Sequence, residues 1–191
     1  SYETRTKLIE IEAFNIDPDI FIELNESIQS EVLQLLSVGS IINIIKRLES
    51  DDSIKILENL EKEKKLLVLE KLPPKDKFLL EEGLSYPEDS AARIMQREFT
   101  AVPSNWSVGQ TIDYLRENKD LPKEFLEIFI VDNDFKPVGT VPSSRVLRAS
   151  RDSKMNSIMS EMPVLIPVNM DKEEVGYTFE NYSLVSAGVV N

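Results

Sequence analysis

The amino-acid sequence predicts an α+β fold in two parts, an all-α superhelical repeat region over residues 1–90 and a mixed α and β region over residues 91–191. One observation is a twelve-residue apolar repeat confined to the first part. Another is a change after residue 90 to short β-branched segments separated by Pro, Gly and Asn. The third is charge, because residues 1–90 carry 20 acidic and 11 basic residues, whereas residues 91–191 carry 14 and 11.

The repeat region has apolar residues in columns spaced by twelve residues. One column holds Leu24, Leu36, Leu48, Leu60, Leu72 and Leu84. Four residues before each of these lie Ile20, Val32, Ile44, Ile56, Val68 and Leu80. A third column lies two residues before the Val, Ile and Leu residues of this second column, starting at the second unit, and holds Ser30, Ile42, Ile54, Leu66 and Phe78.

These offsets place the apolar residues on one face of a short helix in each unit. A helix of two turns cannot bury such a face alone, so the units are expected to stack into a superhelical array. A single long amphipathic helix is the alternative interpretation. Gly39 and the pair Pro73-Pro74 argue against it, since both would interrupt a continuous helix.

The residue pattern of the mixed region predicts alternating strands and helices. Ser107 is a candidate N-cap for the first of these helices. The pattern restarts near residue 158 and ends before a second hairpin and closing helix. The predicted elements are a strand over 98–102, a helix over 108–117, a strand over 128–131, a hairpin turn at 132–134, a strand over 137–141, a helix over 143–148, a strand over 164–168, a helix over 171–182 and a strand over 187–190.

Composition excludes several classes of function. The net charge of −12 disfavours binding to nucleic acid or to an anionic membrane surface. The absence of Cys and His excludes disulfides, thiolate metal sites and a Ser-His-Asp triad. No apolar segment approaches the ~18–20 residues that span a bilayer, which predicts a soluble chain. Two classes of function remain, which are the binding of hard cations by carboxylates and binding without catalysis.

Two sets of motifs resemble known families. The segments 94–108 and 128–141 resemble a CBS domain, and 158–168 with 189–191 resembles the start of a second one. The junction from Leu84 to Met95, which contains Tyr-Pro-Glu-Asp-Ser-Ala, follows a twelve-residue helical repeat that includes Leu72-Pro73-Pro74. This combination is similar to the cytosolic region of MgtE magnesium transporters.

The resemblance implies three domains, a helical MgtE N-like domain over 1–90, a CBS domain over 91–152 and a partial CBS domain over 153–191. It also implies a non-enzymatic regulatory region at the cytoplasmic face of the inner membrane, beneath the protein's own transmembrane pore. In that family Mg²⁺ lies between acidic surfaces of the helical and CBS domains and favours the closed pore. A homodimer through the CBS domains is also implied.

The candidate Mg²⁺ ligands follow from the same resemblance. Asp19, the pair Asp51-Asp52, and the group Asp171, Glu173 and Glu174 match acidic positions of the family, and Glu88 and Asp89 at a predicted helix start are added. Two positions depart from the pattern, because Lys55 and Ser183 replace acids. The alternative interpretation is structural, since acidic residues are favoured as N-caps and in the first turn of a helix.

Two other functions are weighed. CBS pairs often bind adenosine nucleotides through a hydroxyl and an aspartate after the second hairpin strand, but Pro142 and Arg145 occupy those positions here. An acidic helical scaffold that recruits a partner protein is the other alternative. An enzyme is not expected, because paired carboxylates without aromatic platforms do not make a glycosidase cleft.

Overall fold

The computed structural model describes residues 17–122, 124–161 and 164–191. Its described residues form two compact units. We call residues 17–88 with 93–97 the helical unit, and residues 89–92 with the described part of 98–191 the mixed unit. The first six helices are α1 (Asp19–Glu23), α2 (Glu26–Leu35), α3 (Val38–Ile45), α4 (Ser50–Glu58), α5 (Lys62–Lys71) and α6 (Pro74–Ser85).

The twelve-residue repeat is confirmed as a repeat of short helices. Helices α2 to α6 begin at residues 26, 38, 50, 62 and 74, which are twelve residues apart. Each is preceded by an N-cap residue in an extended or similar non-helical conformation, namely Asn25, Ser37, Glu49, Glu61 and Pro73. Side-chain oxygens of Asn25 and Ser37 accept hydrogen bonds from backbone N–H groups. One continuous helix over this stretch is therefore excluded.

Alternate helices of the repeat pack against each other, α3 on α5 and α4 on α6. This arrangement buries most of the predicted columns, including Ile44, Ile56 and Leu57, each fully inaccessible to solvent. The prediction is wrong for some members near the ends of the array. Ile20, Leu66 and Phe78 are exposed at 51%, 54% and 68%, because a column residue is buried only where another helix covers it.

The buried side chain of Arg93 bonds the segment 93–97 to residues 58–86 of the helical unit. The Arg93 side chain is 8% exposed, and its Nε lies 2.6 Å from Oε1 of Glu58. Its Nη1 donates to the carbonyl oxygens of Gly83 and Tyr86 at 3.2 and 3.1 Å. A buried guanidinium needs this set of acceptors, since an unpaired charge in the interior is strongly destabilising.

The mixed unit contains a four-stranded sheet in the order β1-β2-β3-β4. Strand β1 pairs with β2 in parallel, and β3 pairs antiparallel with both β2 and β4. Its core is formed by the side chains of Val102, Val108, Ile128, Ile130, Val141, Val146 and Met155. The bounds are α7 (Ala91–Ile94), β1 (Ala101–Pro103), α8 (Val108–Glu117), β2 (Glu127–Val131), β3 (Pro137–Pro142), α9 (Ser143–Arg148), α10 (Met155–Ile158) and β4 (Ser160–Glu161).

Local side-chain chemistry defines several of these elements. Ser107 is confirmed as the N-cap of α8, where it forms a capping box with Gln110. The predicted hairpin turn is also confirmed. Oδ1 of Asp132 accepts from the N–H groups of Asp134 and Lys136, and Phe135 adopts a positive φ of 61°.

The last part of the chain adds β5 (Ile166–Pro167), α11 (Lys172–Tyr182) and β6 (Val189–Val190). Strands β5 and β6 form a separate parallel pair. They are shorter than predicted because only these residues find a backbone partner in register, and β1 likewise begins three residues later than predicted. Residues 89–92 join this part, since the N–H groups of Ala91 and Ala92 donate to the carbonyls of Met170 and Val168.

Over the described ranges, no helix combines the length and the apolar character needed to cross a bilayer.

Candidate metal-binding carboxylates

Asp19 occupies the first turn of α1 and is exposed. Its backbone N–H lies 3.4 Å from Oδ1 of Asp17. This placement suits the helix dipole, which favours a carboxylate in a first turn.

Asp51 and Asp52 lie in the first turn of α4, after the N-cap residue Glu49. They are therefore not N-caps, which excludes one structural interpretation of this pair. Lys55 lies one turn further along, and its Nζ is 2.7 Å from Oδ1 of Asp52. The ammonium group is about half exposed, so the ion pair forms at the surface.

Asp51 is the less solvated member of the pair. Its Oδ1 is buried and accepts no hydrogen bond. Burial raises the pKa of the Asp51 carboxyl, and the nearby charge of Asp52 raises it further. The backbone N–H groups of Asp52 and Asp51 and the charge of Lys55 act on the pKa in the opposite direction. The pKa of Lys55 is raised despite burial, because Asp52, Asp51 and Glu58 stabilise its charged form.

The mixed unit brings a second set of predicted acids together. Ser90 forms an antiparallel bridge with Asp171, and the N–H of Lys172 donates to the carbonyl of Asp89 at 2.7 Å. Nζ of Lys172 lies 2.5 Å from Oδ1 of Asp89. This hydrogen bond, with the charge of Asp89, raises the pKa of Lys172. Asp89 and Asp171 are 82 residues apart in sequence, so the fold itself makes them neighbours.

Asp171 has a structural role as the N-cap of α11, because its Oδ1 accepts from the N–H of Glu173 at 2.8 Å. Glu173 and Glu174 follow in the first turn and are exposed. Three carboxylates thus lie at the N-terminus of one helix, where acidic residues are favoured. Glu88 is exposed in the loop before Asp89.

Among residues 17–122, 124–161 and 164–191, no group of three or more acidic side chains is gathered as a complete metal site. The acids lie in separate places, Asp19 and the Asp51-Asp52 pair in the helical unit, and Asp89 near Asp171 in the mixed unit. Mg²⁺ nevertheless needs only one or two carboxylates, because it retains several waters. The unbonded Oδ1 of Asp51 is an acceptor of the required type.

The sequence marked Lys55 as a departure from the family pattern, but it did not predict two ion pairs near the candidate acids. Lys172, which lies between Asp171 and Glu173 in the sequence, pairs with Asp89. The contact between Arg93 and Glu58 was also missed. No local pattern predicts either pair, since 83 and 35 residues separate the partners in sequence.

Comparison with known families accounts for both units. Residues 1–89 match the MgtE intracellular N domain, and residues 91–152 match the CBS domain. The chain thus combines a domain of the MgtE intracellular N family with a CBS domain. The predicted combination of a helical MgtE domain and a CBS domain is thereby confirmed.

Two curated relatives are magnesium transporters named MgtE. That of Enterococcus faecalis is 23% identical over 112 residues, which cover 59% of this chain and 25% of the relative. That of Bacillus subtilis is 21% identical over 107 residues, which cover 56% and 24%. The chain thus spans about a quarter of the length of the curated MgtE relatives that it matches.

A solved structure of the cytosolic domain of the Mg²⁺ channel MgtE, in complex with ATP, has the same fold. It superimposes with a TM-score of 0.85 at 22% sequence identity, covering 100% of this chain and 78% of that one. The predicted α+β arrangement of helical repeat and CBS domain is therefore confirmed.

Proposed function

We propose that this MgtE chain is a Mg²⁺-responsive regulatory region of a magnesium transporter. Mg²⁺ binding to carboxylates of the helical and CBS domains favours a state that closes the transporter's pore. The observation that carries the proposal is the pair Asp51-Asp52, in which a buried carboxylate oxygen lacks a hydrogen-bond donor beside a second carboxylate.

The electrostatic argument is general. Two carboxylates about 4 Å apart repel by roughly 4 kcal/mol at an effective dielectric constant near 20. Acidic surfaces of a chain with net charge −12 therefore approach each other poorly until a divalent cation lowers the repulsion. Mg²⁺ suits this role because it can bind one carboxylate directly and donate hydrogen bonds to others through its waters.

Named residues would hold the ion in each unit. Asp51 and Asp52 are the ligands proposed in the helical unit, with Asp19 as a further exposed acid. In the mixed unit the proposed ligands are Asp89, Asp171, Glu173 and Glu174, with Glu88 in the preceding loop. The bound ion supplies positive charge, and the chain supplies oxygen ligands on rigid helix starts.

Two lysines set the strength of this response. Lys55 and Lys172 each place an ammonium against a proposed ligand, Asp52 and Asp89 respectively. A tethered cation competes with Mg²⁺ for the same oxygens, so both lysines weaken binding. An exposed ion pair of this kind contributes up to about 1 kcal/mol, so removing one of these lysines should tighten Mg²⁺ binding by a few fold.

The proposal extends to the parent protein. The boundaries are 1–90 for the helical domain, 91–152 for the first CBS domain and 153–191 for part of a second. The partners are the protein's own transmembrane pore domain and a second subunit through the CBS domains, and the location is the cytoplasmic face of the membrane. The matched domain families are not enzyme families, which supports a regulatory role.

The test is a Mg²⁺ titration followed by hydrogen–deuterium exchange at constant ionic strength. Wild-type chain should gain protection around residues 50–58 and 171–175, and the variant with Asp51→Asn and Asp52→Asn should lose the first of these. Lys55→Met should lower the Mg²⁺ concentration needed for half of the effect. Glu31→Gln with Glu70→Gln, which removes the same charge elsewhere on the helical unit, is the matched control.

Identical exchange with and without millimolar Mg²⁺ in the wild-type chain would overturn the proposal. An equal response in the Asp51→Asn, Asp52→Asn variant would reject those two residues as ligands. Protection in sodium chloride of equal ionic strength would show that charge screening alone is responsible.

Nucleotide sensing is the second candidate, because a solved MgtE cytosolic domain was crystallised with ATP. The equivalent segment here is altered, since Arg145 donates to the carbonyl of Ile158 and to Oγ of Ser160 at 2.9 and 3.1 Å. Pro142 precedes α9 and offers no hydroxyl. Calorimetry with ATP, with and without Mg²⁺, separates the two functions, and we expect no heat of ATP binding.

A further inference from the structure

A short stretch of the chain belongs to the two units in turn. Residues 89–92 lie in the mixed unit, and residues 93–97 lie in the helical unit before the chain enters the mixed unit again. Helix α7 (Ala91–Ile94) therefore contains residues of both units. We call residues 89–97 the crossing segment. A helix of four residues is not stable alone, so the order of α7 depends on the groups that hold it.

The helical part of the crossing segment is bonded to both ends of α4. At the last residue of α4, Oε1 of Glu58 accepts from Nε of Arg93 at 2.6 Å. At the first residue, Oγ of Ser50 accepts from the N–H of Arg97 at 2.9 Å. Ser50 is 4% exposed and directly precedes Asp51. The position of α4, and with it the candidate pair that begins at Asp51, is thus tied to the crossing segment.

The mixed part of the crossing segment is bonded to the residues that precede α11. The N–H of Ala91 donates to the carbonyl of Met170 at 2.7 Å. The N–H of Ala92 donates to the carbonyl of Val168 at 3.0 Å, and both alanines are buried. Asp171, the N-cap of α11, follows directly in the sequence. The start of α11 is therefore tied to the crossing segment by backbone hydrogen bonds.

Arg93 lies where these two sets of bonds meet. Ala92 is held in the mixed unit and Arg93 in the helical unit, so one planar peptide group separates the two anchored residues. Adjacent residues leave no length of chain that could absorb a change at either anchor. The Arg93 side chain is 8% exposed, and a buried guanidinium cannot leave its acceptors without a large energetic cost. Loss of the Arg93 contacts should accordingly loosen both parts of the crossing segment.

We propose that Arg93 is a positioning residue that couples the order of α4 to the order at the start of α11. With Arg93 bonded to Glu58, the crossing segment is held in both units, and the acids at the starts of the two helices keep fixed positions within their own units. The coupling depends on these contacts and requires no Mg²⁺. Its consequence for ion binding rests on the proposed function. There, binding at Asp51 would strengthen binding at Asp171, and the reverse would hold by the same factor.

Amide hydrogen exchange, measured residue by residue by NMR in EDTA, tests the coupling from the helical unit to the mixed unit. The reporter is the N–H of Lys172, which donates to the carbonyl of Asp89 at 2.7 Å. Arg93→Met should raise the exchange rate of this amide by about tenfold or more, and Glu58→Gln, which keeps an acceptor but removes the charge, should raise it less. Unchanged exchange of the Lys172 amide in these variants overturns the proposal. Circular dichroism verifies that each variant is folded, and Glu58→Gln alone decides if Arg93→Met is not.

Two controls separate coupling from a general loss of stability. Glu70→Gln removes the same charge from an exposed position of α5. Ile56→Val makes a small cavity at a fully buried position of α4 and leaves the Arg93 side chain unchanged. Neither should change the exchange rate of the Lys172 amide. An equal rise in Ile56→Val would show that any weakening of the helical unit has this effect, which also overturns the role of Arg93.

Coupling is reciprocal, so a change in the mixed unit must also reach the helical unit. Asp89→Asn removes the ion pair with Nζ of Lys172 and should raise the exchange rate of the Arg97 amide, which is bonded to the first residue of α4. This effect should disappear in the Arg93→Met background, as a double-mutant cycle requires of coupled residues. A rise that persists in that background overturns the proposal, because the change then travels without Arg93. Every measurement is made in EDTA, so the outcome is independent of the proposed response to Mg²⁺.

Discussion

The helical unit and the mixed unit bury their apolar residues differently along the chain. In the helical unit, fourteen core residues extend from Phe21 to Leu80, so every repeat contributes to one continuous core. In the mixed unit all seven members of the core cluster lie between Val102 and Met155. Helix α11 has no buried residue at all.

This difference determines what the acidic residues can do in each unit. Asp51 and Asp52 are attached to a helix whose other side is packed in the core, and burial opposes the charge of the Asp51 carboxylate. Asp171, Glu173 and Glu174 begin a helix held mainly by its N-terminal backbone bonds and its cap. The acids at the start of α11 are therefore exposed, whereas Asp51 in the helical unit is partly removed from water.

The largest expected effect tests the contrast in packing. Leu57→Ala removes a fully buried side chain from the helical core and should lower the free energy of unfolding by about 2–5 kcal/mol. Tyr177→Ala, at a 66%-exposed position of α11, should change it by less than about 0.5 kcal/mol.

Chemical denaturation separates these effects. Far-UV circular dichroism follows all helices, while the fluorescence of the single tryptophan, Trp106, follows the mixed unit. A large loss of stability from Tyr177→Ala would contradict the contrast, because it would mean that α11 is packed against another surface.

Replacing either of two glycines of the mixed unit by alanine should change the stability by a smaller amount, and the two changes should have opposite signs. A Cβ on Gly139 of β3 would lie 2.5 Å from the carbonyl oxygen of Ser160 and 3.0 Å from Sδ of Met159. Gly139→Ala should destabilise the unit by about 1–3 kcal/mol, because β4 must move. A Cβ on Gly176 meets nothing within 4 Å, so Gly176→Ala should stabilise α11 by up to about 1 kcal/mol through helix propensity.

Thermal unfolding monitored by Trp106 fluorescence measures the effect of Gly139→Ala, and circular dichroism at 222 nm measures that of Gly176→Ala. Destabilisation by Gly176→Ala would show that this side of α11 is occupied, and would remove the distinction between the exposed helix and the packed sheet.

The smallest expected effect is the pH dependence of the folding stability. The folded-state pKa of Asp51 is raised above its unfolded value of 3.8, so the carboxyl stabilises the fold below that value and loses this contribution as pH rises through the folded pKa. At pH 7 the ionised carboxyl opposes folding. Asp51→Asn should consequently raise the denaturation midpoint at pH 7, with a gain that shrinks as the pH is lowered through the folded-state pKa towards the unfolded value of 3.8.

Denaturant midpoints measured between pH 7 and pH 3.5 test this expectation. Asp19→Asn, the same change at an exposed first-turn position, is the control. If Asp51→Asn instead lowers stability at pH 7, Asp51 is fixed by favourable contacts and not opposed by burial.

Much of the fold could be predicted because the signals are local. The N-caps of α2 to α6 lie one residue after the leucine column, and the capping box at Ser107 and the turn at Asp132 depend on residues within four positions of each other. The exposure of Leu66 and Phe78 could not be predicted, since their column is indistinguishable in sequence from the buried Ile54.

The candidate sites also have one part that could be predicted from the sequence and one part that could not. The resemblance to the MgtE family marked the acids, and it marked Lys55 because that residue replaces an acid of the family. It could not pair Lys172 with Asp89, since that contact depends on the segment 89–92 joining the strand and helix near residue 170.

By itself the sequence determined where the helices of the repeat begin, the acidic character of the chain and the absence of Cys and His chemistry, because these follow from residue identity and short-range spacing. Only the tertiary structure decided which apolar columns are covered, which carboxylate oxygen lacks a donor and which lysines neutralise which acids. Those properties depend on groups brought together from distant parts of the chain, and burial exists only once another element lies against a surface.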